Sequence, residues 1–166
     1  MTAQLIEPAG GSTGVGLVHP CRTISLSEHV DPRGSLAVVE TDKDVVFDIR
    51  RVYYLYDLPV STVRGAHGHR NLEQLLIAVH GHFEVELDDG FSSATVELDH
   101  PATALYVGPM VWRNLVNFSP GAVGLVLASS HYDESDYYRD YSDFLADVRA
   151  LRQKKRQLSS VRSAPR

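Results

Sequence analysis

Two histidines separated by one residue, His67 and His69, are the side chains of this sequence best suited to chemistry. An imidazole titrates near neutral pH, so a neighbouring pair can either transfer protons or bind a metal ion. Side chains alternate between the two faces of an extended strand, so both rings point to the same face. If this alternation persists across Asn71, three apolar residues share that face: Leu75, Ile77 and Val79. The spacing therefore predicts two imidazoles at the mouth of an apolar pocket.

The same histidines begin a metal-binding spacing, His67-x-His69-x-x-x-Glu73, which is similar to the first metal motif of cupins. In such a small β-barrel, two imidazoles, a carboxylate and a later histidine bind a transition metal. Where the later histidine is expected, this chain has Trp112 and Arg113 instead. A guanidinium beside a divalent cation opposes its binding. The sequence therefore favours acid/base chemistry without a metal site.

Other side chains near these motifs are candidates for substrate binding. Arg33 lies in a turn and Arg51 begins a strand, and arginine is the side chain best shaped to bind a diphosphate through paired donors. Arg64 precedes the histidines, and nearby cations lower the pKa of an imidazole and keep it neutral, as a general base requires. Trp112 can stack on a sugar or a base, or it can simply fill the barrel.

The composition is typical of one soluble globular domain. Of 166 residues, 43% are hydrophobic and 22% are charged, which allows a core without disulfides. The formal net charge of −5 argues against a nucleic-acid partner. The basic residues gathered between positions 149 and 156 indicate a solvated helix end or, alternatively, a site for an acidic partner. Because Cys21 is the single cysteine and no signal-like or membrane-spanning apolar stretch occurs, we expect a cytoplasmic protein with no membrane partner.

The order of sequence patterns predicts a flexible leader, a β domain and a terminal helix. The expected boundaries are 1–20 for the leader, 21–133 for the β-barrel domain, and 134–166 for the helix with a basic tail. Short β-type runs occupy 36–40, 51–56, 75–79, 83–87, 94–98, 103–107 and 123–128. Asp89-Gly90 predicts a hairpin, and the even spacing predicts an all-β sandwich or barrel. Asp133 or Ser135 is expected to cap the helix, which should end before the basic tail.

The motifs of this chain closely resemble those of the nucleotide-sugar 3,4-ketoisomerases, which act on dTDP-4-dehydro-6-deoxy-D-glucose. The similarity covers about Arg22 to Leu145, with the motifs in the same order. They are Asp31-Pro-Arg-Gly-Ser-Leu, Arg51-Val-Tyr-Tyr, Arg64-Gly-x-His-x-His, Leu87-Asp-Asp-Gly, Leu105-Tyr-Val-Gly-Pro-x-Val-Trp112, Val126-Leu-Ala-Ser and Tyr132-Asp-Glu-x-Asp-Tyr-x-Arg139-Asp-Tyr. Position 68 is Gly where Ala is common in this family, and the residue at Arg113 varies between members that make different C4 epimers.

This resemblance implies an all-β fold, a cupin-type jelly-roll β-barrel with a C-terminal helix. It also implies a homodimer with shared or exchanged strands, and isomerisation without a metal or an organic cofactor. By the same resemblance, His67 is the principal catalytic base, His69 is its acid/base partner, and Tyr53 contacts the reacting sugar.

The expected substrate-binding residues are Arg33, Arg51, Arg64, Trp112 and Arg113. The segment 137–141 is expected to pack on the barrel without a chemical role. The alternatives are a nucleotide-sugar 3,5-epimerase of the cupin class and a non-catalytic sugar-nucleotide-binding module.

Overall fold

A computed structural model describes residues 4–5, 18 and 20–162 of the chain. The strands are β1 (Gln4–Leu5), β2 (Arg22–Ser25), β3 (Ser27–Asp31), β4 (Gly34–Val38), β5 (Arg51–Leu55), β6 (Arg64–His69), β7 (Gln74–His80), β8 (Phe83–Asp88), β9 (Ser93–Leu98), β10 (Thr103–Val107), β11 (Trp112–Val116), β12 (Val123–Ala128) and β13 (Tyr137–Tyr138). A 3-10 helix (Glu134–Asp136) precedes β13, and the α-helix α1 (Tyr141–Arg162) follows it. The expected leader lies mostly outside the described residues.

Two antiparallel sheets form the body of the domain. The larger sheet has the strand order β1-β2-β10-β7-β12-β5, and the smaller one has the order β13-β6-β11-β8-β9. Strands β6 and β7 follow each other in sequence but belong to different sheets, as do β11 and β12. Chain crossings of this kind build a barrel from two packed sheets. The predicted all-β barrel with a C-terminal helix is confirmed.

The larger sheet is apolar on both faces, which explains its continuous hydrophobic strands. Its inner face packs on the smaller sheet through a buried cluster that includes Leu76, Phe83 and Phe118. Its outer face carries a second buried cluster, where Leu75 and Ile77 of β7 are covered by the chain segment 40–50. Three residues of the first cluster, Leu76, Leu115 and Val126, also line the cavity of the candidate site.

The strands predicted from the sequence agree well with those of the structure. Each of the predicted runs is present, and the largest displacement is two residues, at β4. The hairpin at Asp89-Gly90 is confirmed, because β8 pairs with β9 around it. The predicted runs did not include β2, β3, β11 or β13. On β11, a buried Arg113 interrupts the alternation of apolar residues.

The helix begins later and ends later than the sequence predicts. Asp133 caps the 3-10 helix instead, and the carboxylate of Asp140 accepts from the amide of Ser142 at 2.7 Å at the start of α1. The helix continues through the basic cluster to Arg162 rather than ending before it. Within the described part of the chain, no helix is both long and apolar enough to cross a membrane.

Helix α1 packs against the back of β6. The ring of Phe144 is fully buried and, with Tyr138 and Val148, forms a third cluster there. A Cβ at Gly68 would lie 3.1 Å from the Phe144 ring. Gly68 therefore allows the helix to approach the strand that carries the two histidines.

Strands β3 and β4 form a hairpin that belongs to neither main sheet. Its side chains are mostly exposed, including Val30 at 70% and Leu36 at 60%. The turn of the hairpin carries Arg33. Apolar side chains of this size are usually covered by another surface.

Candidate active site

A cavity of about 370 Å³ opens between the two sheets. The larger sheet lines it with side chains of β5, β7 and β12, and the smaller sheet with side chains of β6 and β11. The polar lining residues from the sheets are Arg51, Tyr53, Arg64, His67, Gln74 and Arg113. Several arginines around one concave surface produce a positive potential, so the cavity suits an anionic ligand.

A bulge in β6 sets the position of His67 at this cavity. The register between β6 and β11 shifts, because Arg113 pairs with His67 while the next residue, Asn114, pairs with Gly65. Gly65 and the unpaired Ala66 have positive φ angles of 87° and 50°. A Cβ at residue 65 would lie 2.7 Å from the carbonyl oxygen of Arg113. The bulge therefore brings His67 and Arg113 opposite each other, at the cost of backbone strain at Ala66.

His67 has the protonation state of a general base. A carbonyl oxygen can only accept, so the Nδ1–H of His67 donates to the Gly65 oxygen at 2.9 Å, and Nε2 is unprotonated. Burial, together with the charges of Arg113 and Arg139, lowers the pKa of His67 to about 4. The imidazole is therefore neutral at pH 7, the form that accepts a proton.

His69 lies behind His67 and does not line the cavity. It is fully buried, and its ring centroid lies 4.9 Å from that of His67 and 4.2 Å from that of Tyr137. Its Nδ1 lies 3.0 Å from the carboxylate of Asp136. Burial, followed by the charge of Arg113, lowers the pKa of His69 to about 2. The two imidazoles are neighbours, as predicted, but only His67 lines the cavity.

Arg113 is a buried cation at the base of the cavity. Its exposed fraction is 2%, and none of its three guanidinium nitrogens has a hydrogen-bond partner among the described residues. Burial lowers the pKa of Arg113 to about 10, so the side chain remains charged at pH 7. A buried charge without a partner is costly, so Arg113 is a candidate to bind an anionic atom of a ligand.

Tyr53 and Arg51 line the wall that β5 provides. The hydroxyl of Tyr53 accepts from Nε2 of Gln74 at 2.7 Å, and burial raises the pKa of Tyr53. The phenol is therefore protonated at neutral pH and is able to donate to a ligand. The guanidinium of Arg51 lies 5.4 Å from the Tyr53 ring and 5.7 Å from the Tyr132 ring.

The prediction that the histidines share a face with Leu75, Ile77 and Val79 is wrong. Because the chain crosses from one sheet to the other after β6, the alternation does not continue into β7. Gln74 and Leu76 line the cavity instead, while Leu75 and Ile77 belong to the outer cluster.

Glu73 is also directed away from the histidines, and its carboxylate accepts from the Tyr106 hydroxyl at 2.5 Å. In the described part of the chain, no group of three His, Cys, Asp or Glu side chains is arranged to hold a metal.

Two predicted substrate-binding residues lie outside this cavity. Arg33 is on the turn of the β3–β4 hairpin, where its guanidinium pairs with Asp31 and its side chain is 90% exposed. Trp112 packs on α1, with ring centroids 5.1 Å from Tyr141 and 5.8 Å from Phe144. Trp112 therefore packs on the helix, and Arg33 is not among the residues that line the cavity of its own chain. The other predicted residues, Arg51, Arg64 and Arg113, all line it.

The segment 132–139 adds lining residues that the sequence reasoning missed. Residues 137–141 were expected only to pack on the barrel, yet Tyr137 and Arg139 line the cavity, together with Tyr132. The guanidinium of Arg139 lies 4.1 Å from the Tyr137 ring and donates twice to Glu134, each time at 2.9 Å. The aromatic and arginine residues of the last motif were the available signal for this role.

Fold and site together define a class of protein: a barrel enzyme of the cupin type that is equipped for proton transfer on an anionic substrate. A neutral imidazole, a protonated phenol and a partnerless cation meet in one cavity.

Comparisons with known proteins agree with this class. The family model described as FdtA, WxcM-like, C-terminal, matches residues 19–149. The TDP-4-oxo-6-deoxy-α-D-glucose-3,4-oxoisomerase of Aneurinibacillus thermoaerophilus is 45% identical over 123 residues, which cover 74% of this chain and 88% of that protein.

Two solved structures are similar along nearly their whole length. A mutant of the 3,4-ketoisomerase QdtA from Thermoanaerobacterium thermosaccharolyticum, in complex with TDP-4-keto-6-deoxyglucose, is 36% identical with a TM-score of 0.78, covering 80% of this chain and 96% of that one. The WlaRB TDP-quinovose 3,4-ketoisomerase from Campylobacter jejuni is 44% identical with a TM-score of 0.75, covering 77% and 98%. The chain therefore belongs to the FdtA family of nucleotide-sugar 3,4-ketoisomerases.

Proposed function

We propose that this chain converts dTDP-4-dehydro-6-deoxy-D-glucose to a dTDP-3-dehydro-6-deoxyhexose. The observation that carries the proposal is the neutral imidazole of His67 opposite the buried, partnerless guanidinium of Arg113 in one cavity. The choice of sugar nucleotide is supported by the relatives, one of which is in complex with TDP-4-keto-6-deoxyglucose.

His67 is the base in this proposal. In a 4-keto sugar the hydrogen on C3 is acidic, because the resulting carbanion delocalises onto the ketone oxygen. The neutral imidazole of His67 removes this proton, and the negative charge develops on the C4 oxygen. Arg113 stabilises that oxyanion in a water-poor environment, an effect worth about 2.7–4 kcal/mol for one preorganised donor.

Isomerisation also needs a proton to leave the C3 hydroxyl and a proton to reach C4. The proton of the C3 hydroxyl passes to the C4 oxyanion, and His67, now protonated, delivers its proton to C4, so that C3 becomes the ketone and C4 carries the hydroxyl. The protonated phenol of Tyr53 lines the cavity and is placed to exchange protons with the sugar oxygens. His69 adjoins His67 and is the second imidazole of the site.

The nucleotide diphosphate provides the binding energy. Arg51, Arg64 and Arg139 line the cavity and offer planar donors of the kind that bind phosphate oxygens. Binding the distant diphosphate places C3 next to His67, so that remote affinity contributes to catalysis.

A homodimer with exchanged strands completes the proposed site. Strand β5 lies at the edge of the larger sheet and pairs only with β12 among the described residues. A free strand edge accepts a strand or hairpin from another chain. The separate β3–β4 hairpin suits this role, because among the described residues its two strands pair only with each other and their outer edges are free. Pairing with the β5 edge of a second copy brings Arg33 close to the cavity wall formed by β5.

Exchange of this kind is tested by mixing two inactive variants. In a mixed dimer of Arg33→Ala and His67→Asn chains, the site with an intact His67 receives Arg33 from its partner. Random reassociation should therefore restore about one quarter of the wild-type activity. If Arg33 acts within its own chain, or not at all, the mixture gains no activity over the separate variants.

The proposed reaction itself is tested by incubating the protein with dTDP-4-dehydro-6-deoxyglucose in D₂O and following the sugar by NMR. A ketoisomerase moves the carbonyl from C4 to C3, and C4 gains deuterium to the extent that the proton on His67 exchanges with solvent before it is delivered. A 3,5-epimerase would leave the carbonyl at C4, and a non-catalytic binding module would cause no exchange. Either of these two results overturns the proposal.

A further inference from the structure

One carboxylate outside the cavity, that of Asp136, is directed at the buried imidazole of His69. Its Oδ2 lies 3.0 Å from Nδ1 of His69 and accepts from the amide of Leu72 at 3.2 Å. Its Oδ1 accepts from the backbone and side-chain nitrogens of Asn71, at 2.8 and 3.1 Å. The side chain is mostly buried, with 13% exposed, and it joins the end of β6 to the segment that carries Tyr137.

The hydrogen bonds leave one tautomer for His69. Both carboxylate oxygens of Asp136 already accept from amide N–H groups, and an ionised carboxylate has no hydrogen to donate. The ring nitrogen that faces it must therefore be the donor, which places the hydrogen of the neutral imidazole on Nδ1. Nε2 is then unprotonated, and it has no hydrogen-bond partner among the described residues.

His67 is held in the same way by a different group. A backbone carbonyl, that of Gly65, accepts from its Nδ1–H. Both imidazoles therefore present an unprotonated Nε2, but only His69 has a negative charge behind it. A carboxylate at this position both orients the ring and stabilises the imidazolium that forms when Nε2 accepts a proton.

We propose that Asp136 is a positioning residue that holds His69 as the Nδ1–H tautomer, ready to accept a proton at Nε2 during turnover. The kinetic part of this inference rests on the proposed ketoisomerase activity, whereas the tautomer does not. The carboxylate of Asp136 bonds to His69, Asn71 and Leu72, none of which lines the cavity, so its contact with the site runs through His69. Its charge also opposes the lowering of the Arg113 pKa by burial, and the tautomer measurement separates the two effects.

The same carboxylate also anchors the loop after β6, and the test must separate the two roles. Asn71 offers a matched control, because Asn71→Ala removes the side-chain bond to Oδ1 and leaves the His69 contact in place. Asp136→Asn keeps the size of the side chain but replaces one oxygen with an N–H donor. That donor favours the opposite tautomer, with the hydrogen on Nε2.

The experiment measures tautomer and turnover on the full chain. Long-range ¹H–¹⁵N NMR at pH 7, with the signal assigned by its loss in His69→Gln, should show Nδ1 protonated in the wild type and Nε2 protonated in Asp136→Asn. Turnover of dTDP-4-dehydro-6-deoxyglucose should fall in Asp136→Asn on the order of 10²-fold in kcat, with KM changed less than about threefold. Asn71→Ala should keep the wild-type tautomer and turnover.

Each contrary result overturns the inference in a distinct way. An Nε2–H tautomer in the wild type refutes it even if Asp136→Asn does not fold. Unchanged kcat in a folded Asp136→Asn variant refutes the positioning role, and an equal loss in Asn71→Ala assigns Asp136 to loop anchoring alone. A wild-type protein with no isomerase activity refutes the proposed function instead, and the NMR result then decides the tautomer by itself.

Discussion

Replacing Arg113 with methionine should make the protein more stable and less active. The guanidinium is 2% exposed, and its three nitrogens have no hydrogen-bond partner among the described residues. Removing a poorly compensated buried charge in favour of an apolar side chain of similar length stabilises a fold by about 1–4 kcal/mol. For a chain of this size, each kcal/mol raises Tm by about 2–4 °C.

The expected loss of activity in Arg113→Met has the same origin, the buried charge of the guanidinium. Without Arg113, the oxyanion of the enolate loses its preorganised donor, so kcat should fall about 10²- to 10³-fold. The charge of Arg113 is also the second-largest cause that lowers the pKa of His67, after burial. Its removal should therefore move the acid limb of the pH–rate profile to higher pH.

The assay compares thermal unfolding at one protein concentration with steady-state kinetics on the dTDP-linked 4-keto sugar. Arg50→Met is the matched control, because Arg50 is an exposed arginine paired with Asp48 at 2.6 Å outside the cavity. We expect this control to change neither Tm nor kcat. An Arg113→Met protein that is less stable than the wild type, or as active, refutes the reasoning.

The structure supports three further predictions. The acid limb of the kcat/KM profile should lie near pH 4 rather than near pH 6.5, because His67 must be neutral to act and its charged form appears only below its lowered pKa. A pH–rate profile with its acid limb at pH 6.5 contradicts this prediction. Ala66→Gly should raise the free energy of unfolding by about 1 kcal/mol, because Ala66 has a positive φ angle that glycine adopts without strain. Denaturant titration measures this change, and a loss of stability would mean that residue 66 is not strained. Treatment with EDTA should leave turnover unchanged, and a loss that a divalent ion restores would favour the metal alternative.

The strands and the central residues of the site could be predicted because they depend on local patterns. The alternation around Phe83 and Val85 gives a half-buried strand, and Asp89-Gly90 gives its turn. His67 was identifiable from residue type and from its place in a motif. These signals lie within a few residues of each other.

What the sequence could not show depends on contacts between distant segments. Whether a strand lies in one sheet or the other decides which of its faces reaches the cavity, and this reversed the prediction for β7. The contact between His69 and Asp136 joins residues 67 positions apart. Tyr137 and Arg139 reach the cavity because the chain returns along β6 after leaving the barrel.

The close contact between β6 and α1 has an evolutionary consequence. A Cβ at position 68 would lie 3.1 Å from the Phe144 ring and 3.4 Å from the Tyr138 ring, so even alanine requires the Phe144 ring to move by a few tenths of an ångström. Homologues with a larger residue at position 68 should therefore carry compensating changes at position 144. Covariation of these two positions, one next to His67 and the other on the helix that packs behind it, would record this steric limit across the family.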